Sequence, residues 1–155
     1  MIDYLVVFFV SMVPLIELRG AIPISQIRHL PIIQSYIIAI IGNMLPVPII
    51  YLFARKVLEW GADKPLIGGF FSWCLEKGEK GGKKLQQKAG RGLFLALLLF
   101  VGIPLPGTGA WTGALIASLL GIDIKKSSVA ILCGIAMATV IMYFVSYVLV
   151  GNIVS

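Results

Sequence analysis

Two stretches decide the fold: Pro14-Leu-Ile-Glu-Leu-Arg-Gly-Ala-Ile-Pro23 and Gly102-Ile-Pro-Leu-Pro-Gly-Thr-Gly-Ala-Trp-Thr-Gly113. Each interrupts an apolar run. Proline removes a backbone donor and glycine loosens the turn, so the spacing predicts that neither stretch continues as regular helix. From Tyr4 to Glu17 there are 13 rises of about 1.5 Å, roughly 20 Å. In a bilayer with about 30 Å of hydrocarbon, that sets the first break, with Glu17 and Arg19 in it, at membrane depth.

The rest of the chain requires that bilayer. Of 155 residues, 59% are apolar and 13% are charged, against about 45–50% and about 25% in a soluble domain. Asp, Glu, Lys and Arg are missing from residues 4–16, 29–54, 92–122 and 127–155. The last three stretches are long enough for a spanning helix of about 20 residues, and the first is not. The opening Met1-Ile2-Asp3 has no basic residue, and Glu17 and Arg19 follow where a cleavage site would stand, so a cleaved signal peptide is not expected. Cys74 and Cys133 lie far apart, one in the polar middle and one in an apolar segment, which is no disulfide framework and no metal cluster. A net charge of +6 flanks apolar segments, which favours anionic lipid over nucleic acid.

Nine of the thirteen basic residues fall between Arg55 and Arg91. We therefore expect repeat 1 over residues 1–58, a basic cytoplasmic linker over 59–91, and repeat 2 over 92–155, all in one membrane domain. Within the linker, Phe70, Phe71, Trp73 and Leu75 precede Glu76, Lys77, Glu79, Lys80, Lys83 and Lys84, the pattern of a short interfacial helix with an aromatic anchor or of a solvated connection. Laid over each other at an offset of 92, the two halves match Pro14 to Pro106, Gly42 to Gly134 and Tyr51 to Tyr143, with nine identities in 58 positions. The identities are few. The shared order of apolar run, Pro/Gly break, charge and long apolar helix carries the reading of a duplication.

Charge distinguishes two topologies. If both broken segments cross the membrane, nine basic residues are cytoplasmic while Arg28, Lys125 and Lys126 lie outside; if both turn back as re-entrant hairpins, eleven are cytoplasmic and Arg28 alone is outside. The hairpins fit the positive-inside rule better. They make the repeats inverted, with both termini outside and the two breaks meeting near the midplane, which is a transporter architecture. The expected fold is thus an all-α integral membrane protein of inverted repeats, each a re-entrant helical hairpin followed by a long transmembrane helix.

Glu17-Leu-Arg-Gly-Ala-Ile-Pro23 and Pro104-Leu-Pro-Gly-Thr-Gly-Ala-Trp-Thr-Gly-Ala114 resemble the signature stretches of the bacterial small multidrug export protein family, and the resemblance covers most of the chain. That family resembles the DedA or VTT superfamily. The resemblance implies hairpins that face each other in the bacterial inner membrane and translocate a polyprenyl phosphate carrier. The second hairpin departs from the DedA pattern, having no arginine beside Pro104 or Pro106.

Ionised groups in a bilayer core mark either a polar cavity or a structural pair, so Glu17 and Arg19 lead the candidate substrate-binding residues. Arg19 can bind an anion, neutralise Glu17, or tie down carbonyls freed by the break. The Gly107-Thr108-Gly109 turn exposes backbone N–H groups that suit an anion or the Glu17 carboxylate, or else serves close packing; Thr112, and Trp111 as ligand or filler, complete the set. His29 reads as a loop residue. No Ser/His/Asp set, metal cluster or phosphate-cradling loop is present, so neither an enzyme nor a cofactor is expected. The leading expectation is a proton-coupled carrier of an anionic lipid, against an exporter of organic cations or a membrane scaffold. A homo-oligomer is expected, to shield the polar tips from lipid.

Overall fold

A computed structural model describes the backbone of every residue but Gly90, Pro106 and Ser155; the side chains of Leu85, Gln86, Lys88, Ala89 and residues 150–154 are also outside the description. Pro106, matched above to Pro14, therefore lies outside the described residues. The chain is helical, with no strand among the described residues: α1 Ile2–Met12, α2 Glu17–Ile27, α3 Ile32–Met44, α4 Pro46–Ala62, α5 Gly68–Ala89, α6 Arg91–Gly102, α7 Ala110–Leu119 and α8 Ile124–Val154. In lipid each backbone polar group must be satisfied within the protein, and helices do that locally. Two stretches are long and apolar enough to cross a membrane, Ile32–Ala62, in which α3 and α4 run on without a gap, and Ile124–Leu149.

Both helix breaks are shorter than the sequence suggests. The first is confined to residues 13–16; Leu15 within it and Glu17 at the start of α2 adopt left-handed φ of 72° and 47°. From Glu17 the chain is helical again and runs straight through Pro23, so α2 tolerates one missing hydrogen bond. The second break ends at Gly109, and Trp111-Thr-Gly113 is already helix.

Contacts at their ends orient the helices. Arg28, after α2, pairs with Asp3 at the start of α1, so α1 and α2 fold back on each other. Gly113 of α7 faces Val101 and Leu97 of α6, giving the second antiparallel pair. At 10 to 12 residues each, these four helices are roughly 15–18 Å long, about half the hydrocarbon. The long helices are antiparallel too. Tyr36 of α3 meets Tyr143 of α8 with ring centroids 6.1 Å apart, and at the other end the Tyr51 hydroxyl of α4 donates to the Ile122 carbonyl just before α8.

The hairpins pack on this antiparallel pair in an exchanged manner: α1 lies on α3 and α6 on α8, while α2 reaches α8 and α7 reaches α4. Close approach depends on two glycines in matching positions. A Cβ at Gly42 would come within 2.7 Å of the Phe8 carbonyl, and one at Gly134 within 2.7 Å of the Leu98 carbonyl. The enclosed core includes Val7, Leu18, Ile22, Val47, Ile131 and Ile135. Ile33, Ile37, Ile41, Ile49 and Phe53 on one long helix, and Val129, Leu132, Val140 and Phe144 on the other, are exposed and face the hydrocarbon.

The polar stretch 59–91 differs most from its expected form. Its first residues extend α4 to Ala62, and most of the remainder is the 22-residue α5. Phe70 and Trp73 stack and stay exposed, as an interfacial anchor requires. Yet α5 also packs on its own protein: Gly78 and Gly82 face the backbone carbonyls of Leu119 and Leu120 at the end of α7, and Glu79 reaches Arg55 at 3.4 Å.

Candidate functional site

The two breaks bring the turn of each hairpin to the middle of the long helices. Asn43 lies 11 residues into α3, about 17 Å from its start, and it lines a common gap with Ile135 and Ala138 of α8. Glu17 and Arg19 from the first tip and Gly109 and Ala110 from the second line the same gap.

The tips bind one another reciprocally. Glu17 is only 5% exposed. Its Oε2 accepts from the Ala110 N–H at 3.3 Å and its Oε1 from the Trp111 N–H at 3.2 Å, so the carboxylate sits on the positive end of α7. In return Arg19 donates through Nη1 to the Leu105 carbonyl and through Nη2 to the carbonyl of Thr108 and, at 2.6 Å, to Thr108 Oγ1. These acceptors belong to the turn after α6, where carbonyls have lost their helical donors. The Thr108 hydroxyl also reaches the carbonyls of Ile103 and Leu105 at 2.9 and 2.8 Å, which organises that turn. Trp111 adds a further link, its indole N–H donating at 3.2 Å to the Met12 carbonyl at the end of α1.

Glu17 and Arg19 therefore do not pair with each other; each finds backbone on the opposite hairpin. Two residues apart in a regular helix they would point apart, and the left-handed φ of Glu17 re-aims its carboxylate toward α7. Of the two uses foreseen for Arg19 in the protein itself, tying down freed carbonyls is the one realised. The expected cradle is corrected in one respect: the N–H groups that hold the carboxylate belong to Ala110 and Trp111, not to Gly107 and Gly109. Helix geometry is the reason, since the free donors of a helix are those of its first turn. Gly109 is needed for a different purpose, because its φ of 144° and a would-be Cβ 2.7 Å from Glu17 Cδ admit no side chain. Gly107, with φ 82°, faces open space, and Thr112 is half-buried without a hydrogen bond to the tips. His29 has φ 52° in the turn after α2, a loop residue as expected.

Sequence reasoning missed Asn43. It is 2% exposed, and its Oδ1 is without a hydrogen-bond partner. The available signal was an amide amid the long apolar stretch 37–50 of the uncharged run. One copy buries Glu17 and Asn43, while Leu105 of the second tip is 55% exposed.

On the lipid side of Trp111, an apolar groove of about 380 Å³ opens between α4 and α7, lined among others by Ile50, Phe53, Val57, Leu115 and Leu119. Among the described residues no three of His, Cys, Asp and Glu gather as metal ligands.

No curated protein and no solved structure matches this chain. A family model does match residues 17–141, from Glu17 at the start of α2 through the second break to the middle of α8. By that match, over most of its length, the chain belongs to the membrane protein family described as putative small multi-drug export protein.

Proposed function

We infer that the chain is a multi-pass transporter of the bacterial inner membrane, in which two re-entrant hairpins enter from opposite faces and meet at a midplane site for an anionic head group such as a lipid carrier phosphate. The observation that carries this reading is the Glu17 carboxylate on the N–H groups of Ala110 and Trp111, with the Arg19 guanidinium on the adjoining turn. A carboxylate there is an internal anion in a site suited to an external one. Protonation of Glu17 removes the charge that holds it on α7. A phosphate then takes the same two N–H groups and draws Arg19 from its carbonyls, because a charged bidentate partner outcompetes neutral ones. Transport of the anion is thereby linked to the uptake of a proton. The apolar groove beside Trp111 offers a path for the lipid tail.

The inverted-repeat reading is supported by the helix boundaries. Shifted by 92, α2 becomes residues 109–119, against α7 at Ala110–Leu119, and Ile32–Ala62 becomes residues 124–154, the range of α8. Exchanged packing and antiparallel long helices are what a two-fold axis in the membrane plane produces. Cysteine accessibility tests the topology: residue 28 is expected outside and residues 84 and 125 inside, whereas straight crossings put residue 125 outside.

The functional test is reconstitution with labelled polyprenyl phosphate. Transfer between leaflets that depends on a pH gradient and is lost in Glu17→Gln is expected; label that stays on one leaflet with or without the gradient overturns the reading. A second reading, export of organic cations, is favoured by the family's description and by the groove, whose volume is that of a drug-sized pocket. Arg19 opposes it, since a fixed positive charge repels a cation. A Glu17-dependent gain of ethidium resistance on overexpression would favour export instead.

A further inference from the structure

Two acceptors that line the gap between the tips keep lone pairs to spare. Glu17 uses one lone pair on each carboxylate oxygen for α7 and keeps the others free. Asn43 Oδ1 is buried, lines the same gap and has no partner. Pro46 and Pro48 have no N–H, so the carbonyls of Gly42 and Met44, on the turn that carries Asn43, lack their helical donors. The gap measures about 10 Å³, room for one water or an ion no larger.

Of the residues that line it, only Glu17 and Arg19 carry charge; α3, α6 and α8 contribute Asn43, Val101, Ile135 and Ala138. Arg19 directs its guanidinium to Leu105 and Thr108 and makes no ion pair with Glu17, so the carboxylate end of the gap is negative even though the Arg19 charge disfavours a cation at the other end. A buried acceptor without a donor costs about 1–3 kcal/mol, and one that lines the same gap as a carboxylate calls for a positive or proton-donating occupant. Hard oxygens with a single negative charge suit a monovalent ion rather than a transition metal.

We propose that Glu17 and Asn43 are the two acceptor arms of a midplane site for one small monovalent cation, either an alkali ion or a proton carried on water. The site rests on the transport reading for its purpose, as the coupling-ion site, but not for its existence. Asn43 is a ligand here and has no part in holding the tips together, for it makes no hydrogen bond to either.

The test uses the full-length protein in detergent and reads thermal stability, with no substrate present. LiCl, NaCl and KCl are titrated at constant ionic strength against choline chloride, whose cation is too large for the gap; a second arm varies pH in choline alone. The melting temperature is expected to rise saturably with one alkali ion, or to step with pH in its absence, and the first identifies a metal ion while the second identifies a proton. Either response should vanish in Asn43→Leu and in Glu17→Gln and persist in Asp3→Asn, an exposed carboxylate. If Asn43→Leu does not fold, Asn43→Ala replaces it. A flat response to every cation and to pH, or a response that survives loss of the Asn43 amide, overturns the site. Cation binding without phosphate flux would sink the substrate reading and leave this site standing; flux without cation or proton dependence would do the reverse.

Discussion

The two hairpin tips stand in equivalent places and use opposite chemistry. The first, residues 13–19, supplies side-chain charge and sets it by forcing non-glycine residues into left-handed backbone. The second, between α6 and α7, offers little but backbone: N–H groups at the start of α7 and carbonyls in the turn after α6, shaped by Gly107, Gly109 and Thr108. A broken helix in lipid leaves donors on one side of the break and acceptors on the other. Here one tip satisfies both sets on its neighbour, Glu17 taking the donors and Arg19 the acceptors.

If that division is right, Arg19→Ala should be the most harmful change, because it leaves the Thr108 carbonyl without a donor and the Leu105 carbonyl with only those of Thr108, both having lost a charged partner. A loss of about 3–5 kcal/mol is expected, measured by reversible unfolding in detergent. Adding Glu17→Gln should recover little, since the turn's charged donor stays missing; full recovery would mean that the two charges answer each other after all. Arg19→Lys should keep much of the stability and lose anion transfer, as an ammonium cannot span two acceptors as a guanidinium does.

Next in size, Gly109→Ala is expected to cost roughly 2–3 kcal/mol, through its φ of 144° and its approach to Glu17, whereas Gly107→Ala, strained but in open space, should cost about 1 kcal/mol. Equal losses would show that conformation alone, without the docked carboxylate, sets the need for glycine. Glu17→Gln should cost about 1–2 kcal/mol, since a neutral amide still offers one oxygen to the first turn of α7. The smallest effect belongs to the far end of the first hairpin. Arg28→Ala removes an ion pair whose side chains are 42% and 44% exposed, and the loss should stay below about 1 kcal/mol. A larger value would mean that the base of the hairpin, not its tip, fixes its position.

Much of this was legible in the residues. Apolar excess and uncharged runs determined that the chain lies in a bilayer as helices, because lipid admits no other way to satisfy an open backbone. Proline and glycine marked both breaks, and the position of Glu17 and Arg19 thirteen or more rises into an apolar run marked the polar site. Those are local properties, and local sequence reports them. Which groups meet was decided elsewhere. That Glu17 would accept from Ala110 and Trp111, that Arg19 would choose Leu105 and Thr108 over Glu17, and that Asn43 would sit bare beside them all depend on residues 24 to 94 positions apart brought together by the crossed packing of α2 on α8 and α7 on α4. A charge in a membrane must find a partner, and its own sequence states that need. The partner's identity is fixed only by which helix ends the tertiary fold sets within hydrogen-bonding distance.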